Sequence, residues 1–262
     1  MSNHPKAKQL VLTALREFPL IRAGDDICGI IWDAIIKNGI IVDDGDILVI
    51  AQKIISKSEN RLVHLSTVTP SERAIQLAQV TGKNPRFIEL VLSESQKVLR
   101  VRENTIIVEH KNGFICANAG IDHSNVNGGG ENPEDWVLLL PEDADQSARN
   151  IKNKIEEFSG KEIGVLIIDS HGRAWRTGTV GITIGVAGLP ALVDLRGVED
   201  LFGFKLRITQ VGAADELAAA ASLLMGQSSE GSPVVHVRGF PYALRESNLQ
   251  ELIRPEDQDL FR

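Results

Sequence analysis

Four polar clusters in this sequence carry residue types that chemistry needs, and each directly follows an apolar run. One is Gly120-Ile121-Asp122-His123-Ser124-Asn125, after FICA; another is Asp169-Ser170-His171-Gly172-Arg173-Ala174-Trp175-Arg176, after VLII. An isolated carboxylate at the end of a buried strand is costly, so Asp122 and Asp169 each need donors, a cationic partner or a metal ion. Two such carboxylates suggest one shared cation. The ligands on offer, Asp122, Asp169, the Ser170 hydroxyl and an amide, are hard oxygen donors that suit Mg²⁺ or Mn²⁺, whereas zinc would draw on His or Cys. A strand-terminal Asp also commonly caps a turn or a helix, and the residues alone leave both readings open. His171 and His123 read as turn residues or loop hydrogen-bonders. Trp175, with Arg173 and Arg176, gives either a stacked anion site or a half-buried ring beside solvated arginines.

The third cluster, Gln52-Lys53-Ile54-Ile55-Ser56-Lys57, follows DILVIA. Lys57 could hold a phosphate as a point charge, or it is a solvated lysine of an edge strand. The fourth, Thr209-Gln210-Val211-Gly212-Ala213-Ala214-Asp215-Glu216, runs from a strand into an Ala-rich helix. Free N–H groups at that helix start can take a phosphate, while Asp215 and Glu216 equally complement the helix dipole. No GxxxxGK[ST] loop, GxGxxG turn, HExxH helix or GxSxG elbow is present.

These clusters need a rigid scaffold, and the apolar pattern supplies one. Short β-branched runs predict strands over 46–51, 105–109, 113–117, 164–168, 181–186, 206–211 and 233–237. Apolar residues at three- and four-residue spacing predict helices over 26–38, 71–80, 85–94, 143–158 and 213–225, with Gly160 and Gly226 as stops. The stretch 67–102 reads as amphipathic helices throughout, Gly128–Gly130 as a flexible loop, and Ser228–Ser232 as a mobile one. Strands and helices come irregularly, so the expected class is α+β, with mixed sheets and flanking helices.

The chain has 262 residues, 43% of them apolar, and a net charge of −7. That is enough chain for a large core in one domain, 1–262, and its charge opposes non-specific binding to nucleic acid. No apolar run approaches the ~20 residues of a membrane span, and the first residues lack a signal-type apolar stretch. Cys28 and Cys116 show no ligand spacing, which fits a reducing cytoplasm.

In their order along the chain, these clusters resemble the coenzyme F-420 gamma-glutamyl ligase family, enzymes that add glutamate to a deazaflavin coenzyme precursor. The resemblance runs through Pro19-Leu20-Ile21 with Gly24-Asp25-Asp26, Gln52-Lys53 with Ser56-Lys57, and Asn118-Ala119-Gly120-Ile121-Asp122 with Ser124-Asn125-Val126. It continues through the 169–176 cluster, Gly185-Val186-Ala187-Gly188, Arg196-Gly197, Phe202-Gly203, Ala214-Asp215-Glu216, Val237-Arg238-Gly239-Phe240 and Asp259-Leu260-Phe261. It implies a gamma-glutamyl ligase type fold of two intertwined subdomains and a homodimer. It also implies a GTP-dependent amide ligase, with L-glutamate and the F-420 precursor as substrates, Mn²⁺ or Mg²⁺, and K⁺ as a further requirement.

Carried over by residue, Asp122 and Asp169 become metal ligands, with Ser170 and Gln210 at a second metal position. Nucleotide contacts fall on Phe18, Pro19, Leu20, Ile21, Gln52, Lys57, Asn125, Ile208, Thr209, Gln210, Val211, Gly212, Ala213, Ala214 and Asp215. Catalysis falls on Asp122, Asp169 and Lys57. Gln52 stands where some members have Ser, and Ser170 where Thr is frequent. Lys53, Arg173 and Arg176 are candidate clamps for anionic substrates. Two other functions fit the clusters: a metal-dependent phosphohydrolase using Asp169, although position 171 is His rather than a second carboxylate, and a non-catalytic nucleotide-binding module.

Overall fold

The computed structural model describes residues 8–128 and 132–260. Its centre is a five-stranded sheet. In chain order the elements that build the molecule are β1 (Val11–Ala14), α1 (Ile27–Lys37), β2 (Ile47–Ala51), α2 (Gln52–Ser58), β3 (Leu62–His64), α3 (Glu72–Thr81) and α4 (Pro85–Ser93). Then come β4 (Ser95–Arg102), β5 (Thr105–His110), β6 (Ile115–Ala117), β7 (Trp136–Leu138), α5 (Ala144–Ser159), β8 (Gly164–Arg173) and β9 (Arg176–Ala187). The chain closes with β10 (Val193–Asp194), β11 (Gln210–Val211), α6 (Ala213–Met225) and β12 (Val234–Arg238).

The central sheet runs β1-β12-β2-β8-β9, with β2 and β8 parallel and the other neighbours antiparallel. Smaller sheets pair β10 with β11, β3 with β7, and β4 through β6. This is the mixed α+β class that the irregular alternation predicts.

Alternation along the two parallel strands explains the layers. Leu48, Ile50, Val165 and Ile167 face a large cluster built with α1, α4 and α5, whereas Ile47, Val49, Leu166 and Ile168 face a smaller one built on α6. Both faces are covered, so β2 and β8 read as unbroken apolar runs. Helix ends follow their side chains. Asp26 and Asp143 accept from Gly29 N and Gln146 N at α1 and α5, and Gly82 and Gly160 end α3 and α5 in left-handed conformation.

Glycines at β9 let the helices close on the sheet. A Cβ at Gly185 would lie 2.4 Å from Ala144 O, a backbone atom that cannot swing aside, and one at Gly181 would lie 2.6 Å from Ala218 O. Gly185→Ala should therefore destabilise by about 2 kcal/mol or more through overpacking. Thermal unfolding should show a fall of at least ~4 °C; an unchanged midpoint would mean that α5 can retreat from the sheet at no cost.

Several elements depart from the sequence-based expectation. The residues after β2 form a helix, α2, so Lys57 is not an edge-strand residue. Ser95–Arg102 is a strand, not helix, because its backbone pairs with β5. The expected strand over 206–211 shrinks to Gln210–Val211, and β8 continues through the polar cluster to Arg173 as half of a long hairpin. Gly129 and Gly130 lie outside the described residues, as does Phe261.

Candidate functional site

The parallel strands set the site. Ala51 pairs with Ile168, so the next residues, Gln52 and Asp169, emerge side by side at the carboxyl ends of β2 and β8. Ligands of α/β sheets gather outside such ends. The register of β8 against β9 slips between Ile167 and Ile168, immediately before Asp169, and a bulge of this kind re-aims the side chains that follow it.

Asp122 arrives from the other direction. Beyond β6 the chain turns through Asn118, Ala119 and Gly120, all left-handed (φ 53°, 54° and 66°). Such strain at a buried alanine costs about 1 kcal/mol or more and persists only where the surroundings impose it. A Cβ at Gly120 would meet Leu140 at 2.5 Å, so the turn is also sterically closed to larger residues. Asp122 then exchanges both backbone hydrogen bonds with Leu138, at 2.9 Å each.

The side chain of Asp122 accepts from Gln52 Nε2 (2.6 Å) and pairs with Lys53 Nζ (2.5 Å). Gln52 is buried and oriented by Ser56, whose hydroxyl donates to Gln52 Oε1 at 2.8 Å. Lys53 Nζ also donates to Ser124 O (3.2 Å), and Lys57 Nζ to Asn125 O (2.8 Å). Asn125, itself left-handed, donates from Nδ2 to Ser228 O, tying this loop to the 228–232 segment. One face of α2 thus grips the whole 122–125 loop.

Asp169 is nearly buried, and its Oδ2 lies 2.9 Å from His171 Nε2. Burial pushes its carboxyl up, but the hydrogen bond from His171 and the Ser170 N–H outweigh this, so Asp169 stays below the usual range. Asp122 moves the other way. Burial raises its carboxyl most, Lys53 opposes, and the negative charge of Asp169 adds to the rise. Two carboxylates from distant parts of the chain are therefore close enough to repel, with Lys53 acting on both. Lys57 is pushed down by burial and then by Lys53.

Other expected residues are placed as follows. Ser170 is exposed, opposite Gly181. Gln210 is exposed on β11, paired with Asp194. Ile208 and Leu20 are exposed, while Phe18 and Ile21 pack on the large cluster, and Gly24 N donates to Ser58 O at the end of α2. Gly212 caps α6, and Asp215 Oδ1 accepts from Thr183 N (2.9 Å), which locks α6 to β9 beside the Asp169 level. Arg173 and Arg176 face each other near the tip of the β8–β9 hairpin, where Trp175 is 87% exposed rather than half-buried. His123 stacks on Phe87.

The residue reading missed three relations: Gln52 and Lys53 as partners of Asp122, and His171 as partner of Asp169. For His171 a signal existed. Two residues apart on a strand is the same face.

Among the described residues no three His, Cys, Asp or Glu side chains gather as a metal cage. Two carboxylates and nearby hydroxyl, amide and carbonyl oxygens suit an ion that keeps waters and takes substrate phosphates, the habit of Mg²⁺. The mutual repulsion of Asp122 and Asp169, relieved here in part by an ammonium, is what a divalent ion would relieve further.

The profile of the family described as F420-0:Gamma-glutamyl ligase matches residues 16–239. The chain is 44% identical to a coenzyme F420:L-glutamate ligase of Methanothermobacter thermautotrophicus, over 96% of this chain and 98% of that one. Identity is 42% to the protein of the same name from Methanocaldococcus jannaschii (98% and 99% covered) and 41% to that of Archaeoglobus fulgidus (93% of each).

Proposed function

Because the chain belongs to the F420-0:gamma-glutamyl ligase family, we propose that it joins L-glutamate to the F-420 precursor in a GTP-dependent reaction. The observation that carries the reading is the convergence of Asp122 and Asp169 beside the lysines of α2. A carboxylate is a poor acyl donor at neutral pH. In the proposed route its oxygen attacks the γ-phosphorus of GTP, GDP leaves, and an acyl phosphate forms. The glutamate amine attacks the activated carbonyl, loses a proton and expels phosphate, leaving an amide.

Asp122 and Asp169 would hold Mn²⁺ or Mg²⁺, with Ser170 and Gln210 at a second position and K⁺ as a further ion. Such ions neutralise the charge that builds on phosphate oxygens. Lys57 sets its ammonium near the same oxygens, Asn125 and Phe18 to Ile21 line the nucleotide, and the N–H groups from Ile208 to Asp215, at the start of α6, receive phosphate. Both cysteines are free thiols, in keeping with a cytoplasmic enzyme. No helix among the described residues is long and apolar enough to cross a membrane.

The test is product analysis with GTP, Mn²⁺, L-glutamate and the glutamate-free deazaflavin. Mass spectrometry should find one GDP per glutamyl group added. Phosphate release that ignores both acceptors would identify a phosphohydrolase, and binding without turnover a nucleotide module.

A homodimer is part of the same proposal. The 194–209 arm is internally ordered, with Asp200 accepting from Phe202 N and Phe204 N, yet Leu201 and Phe202 are 97% and 94% exposed. Neighbouring exposed apolar side chains of this kind support the dimer reading. Light scattering should give about twice the 28.6 kDa chain mass, and Phe202→Asp should release monomers; a monomeric wild type at micromolar concentration would refute it.

A further inference from the structure

His171 lies on the Asp169 face of β8, 6% exposed, with Nε2 against Asp169 Oδ2. An ionised carboxylate only accepts, so the shared proton sits on His171 Nε2. In the neutral ring Nδ1 is then a bare acceptor, and it is buried with no partner. The ring packs against Phe114, centroids 5.5 Å apart. On Phe114 also lies His110, parallel to within 2° at 4.8 Å and 2% exposed. His110 Nδ1 accepts from the Asn112 N–H (3.1 Å), which puts its proton on Nε2, and that atom too is buried without a partner.

A leftover donor and a leftover acceptor thus belong to two buried rings that both pack against Phe114. His110 is pushed down to about 4, chiefly by burial, so its ring is neutral near pH 7. We propose that His110 and His171 form a positioning pair for Asp169: His110 Nε2–H serves His171 Nδ1 through one bridging water molecule, and so fixes the tautomer whose Nε2–H aims Asp169 at the site. Outer partners of this kind orient ligating side chains, and their loss costs 10–100-fold in affinity or activity. The role in turnover rests on the function proposed above; the tautomer does not.

Nitrogen NMR of the metal-free protein, with histidine labelled, should show both rings protonated at Nε2 and bare at Nδ1. His171→Leu should weaken Mn²⁺ binding and lower kcat, each about 10-fold or more, and His171→Gln, whose amide can donate in place of Nε2–H, should recover most of the loss. His110→Phe should disturb the His171 nitrogen signals and lower kcat with KM for glutamate unchanged, while His110→Gln keeps the donor. A wild-type His171 protonated at Nδ1, or His171→Leu with unaltered Mn²⁺ titration and turnover, would overturn the pair. The expected tautomers in a protein that binds no Mn²⁺ would instead refute the metal reading and leave the pair supported.

Discussion

Asp169→Asn should leave the fold intact and cut ligase turnover by about 100-fold or more, because it removes charge while keeping shape. Asp169 is the carboxylate held ionised, by His171 and the Ser170 N–H. The amide can still accept from His171 through its remaining oxygen, so packing survives. Asp122→Asn should be similar in size for a different reason. Its carbonyl oxygen can still accept from Gln52 Nε2 and Lys53 Nζ, both aimed at Oδ2, but the charge that pairs with Lys53 is gone and the other ligand oxygen becomes an NH2 group. Steady-state rates across a range of Mn²⁺ concentrations, with circular dichroism as a fold check, decide the matter. Wild-type rates for either variant would return that residue to a purely structural role.

The largest stability effect is expected far from this chemistry. Asp46, 2% exposed, accepts from His236 Nε2 (2.8 Å) and from Arg238 Nε (2.8 Å) and Nη2 (2.6 Å). Burial raises its carboxyl, but the bonds from Arg238 and His236 and from the Asp43 N–H hold it below the usual range. Asp46→Asn should cost about 3 kcal/mol, the lower end for a broken buried pair because Arg238 keeps half its side chain in water. The sign with pH follows from the depressed carboxyl. Its contribution is complete above the ordinary aspartate value near 4 and is lost as pH falls through the lower folded value, so the gap between wild type and variant should narrow in acid. Denaturant unfolding at pH 7 and below pH 3 measures it; an equal gap at both would exclude the ionised pair as the cause. Turnover should hold, since Asp46 and Gln52 stand at opposite ends of β2, ~20 Å apart.

Much of this was legible in the residues. The apolar runs at 47–51 and 164–168 identify the two parallel strands, and the polar residues that follow them identify the site. Helices α5 and α6 were set by Asp143, Gly160 and an Ala-rich face. Partnerships were not legible, because they depend on distant segments: α2 forms where it can reach back to the 122–125 loop, and β4 forms because β5 offers it a ladder. The hairpin from Asp169 to Gly181 is polar because it outruns the sheet's cover, which in one dimension resembles a loop.

Lys53 gives the molecule a tethered counter-ion. With an ammonium of the chain itself lodged against Asp122, the acidic centre is partly neutral by itself, so folding should not depend on the divalent ion proposed for it. Stripping the protein with a chelator should therefore silence it without melting it, unlike a zinc finger, whose folding waits for its metal.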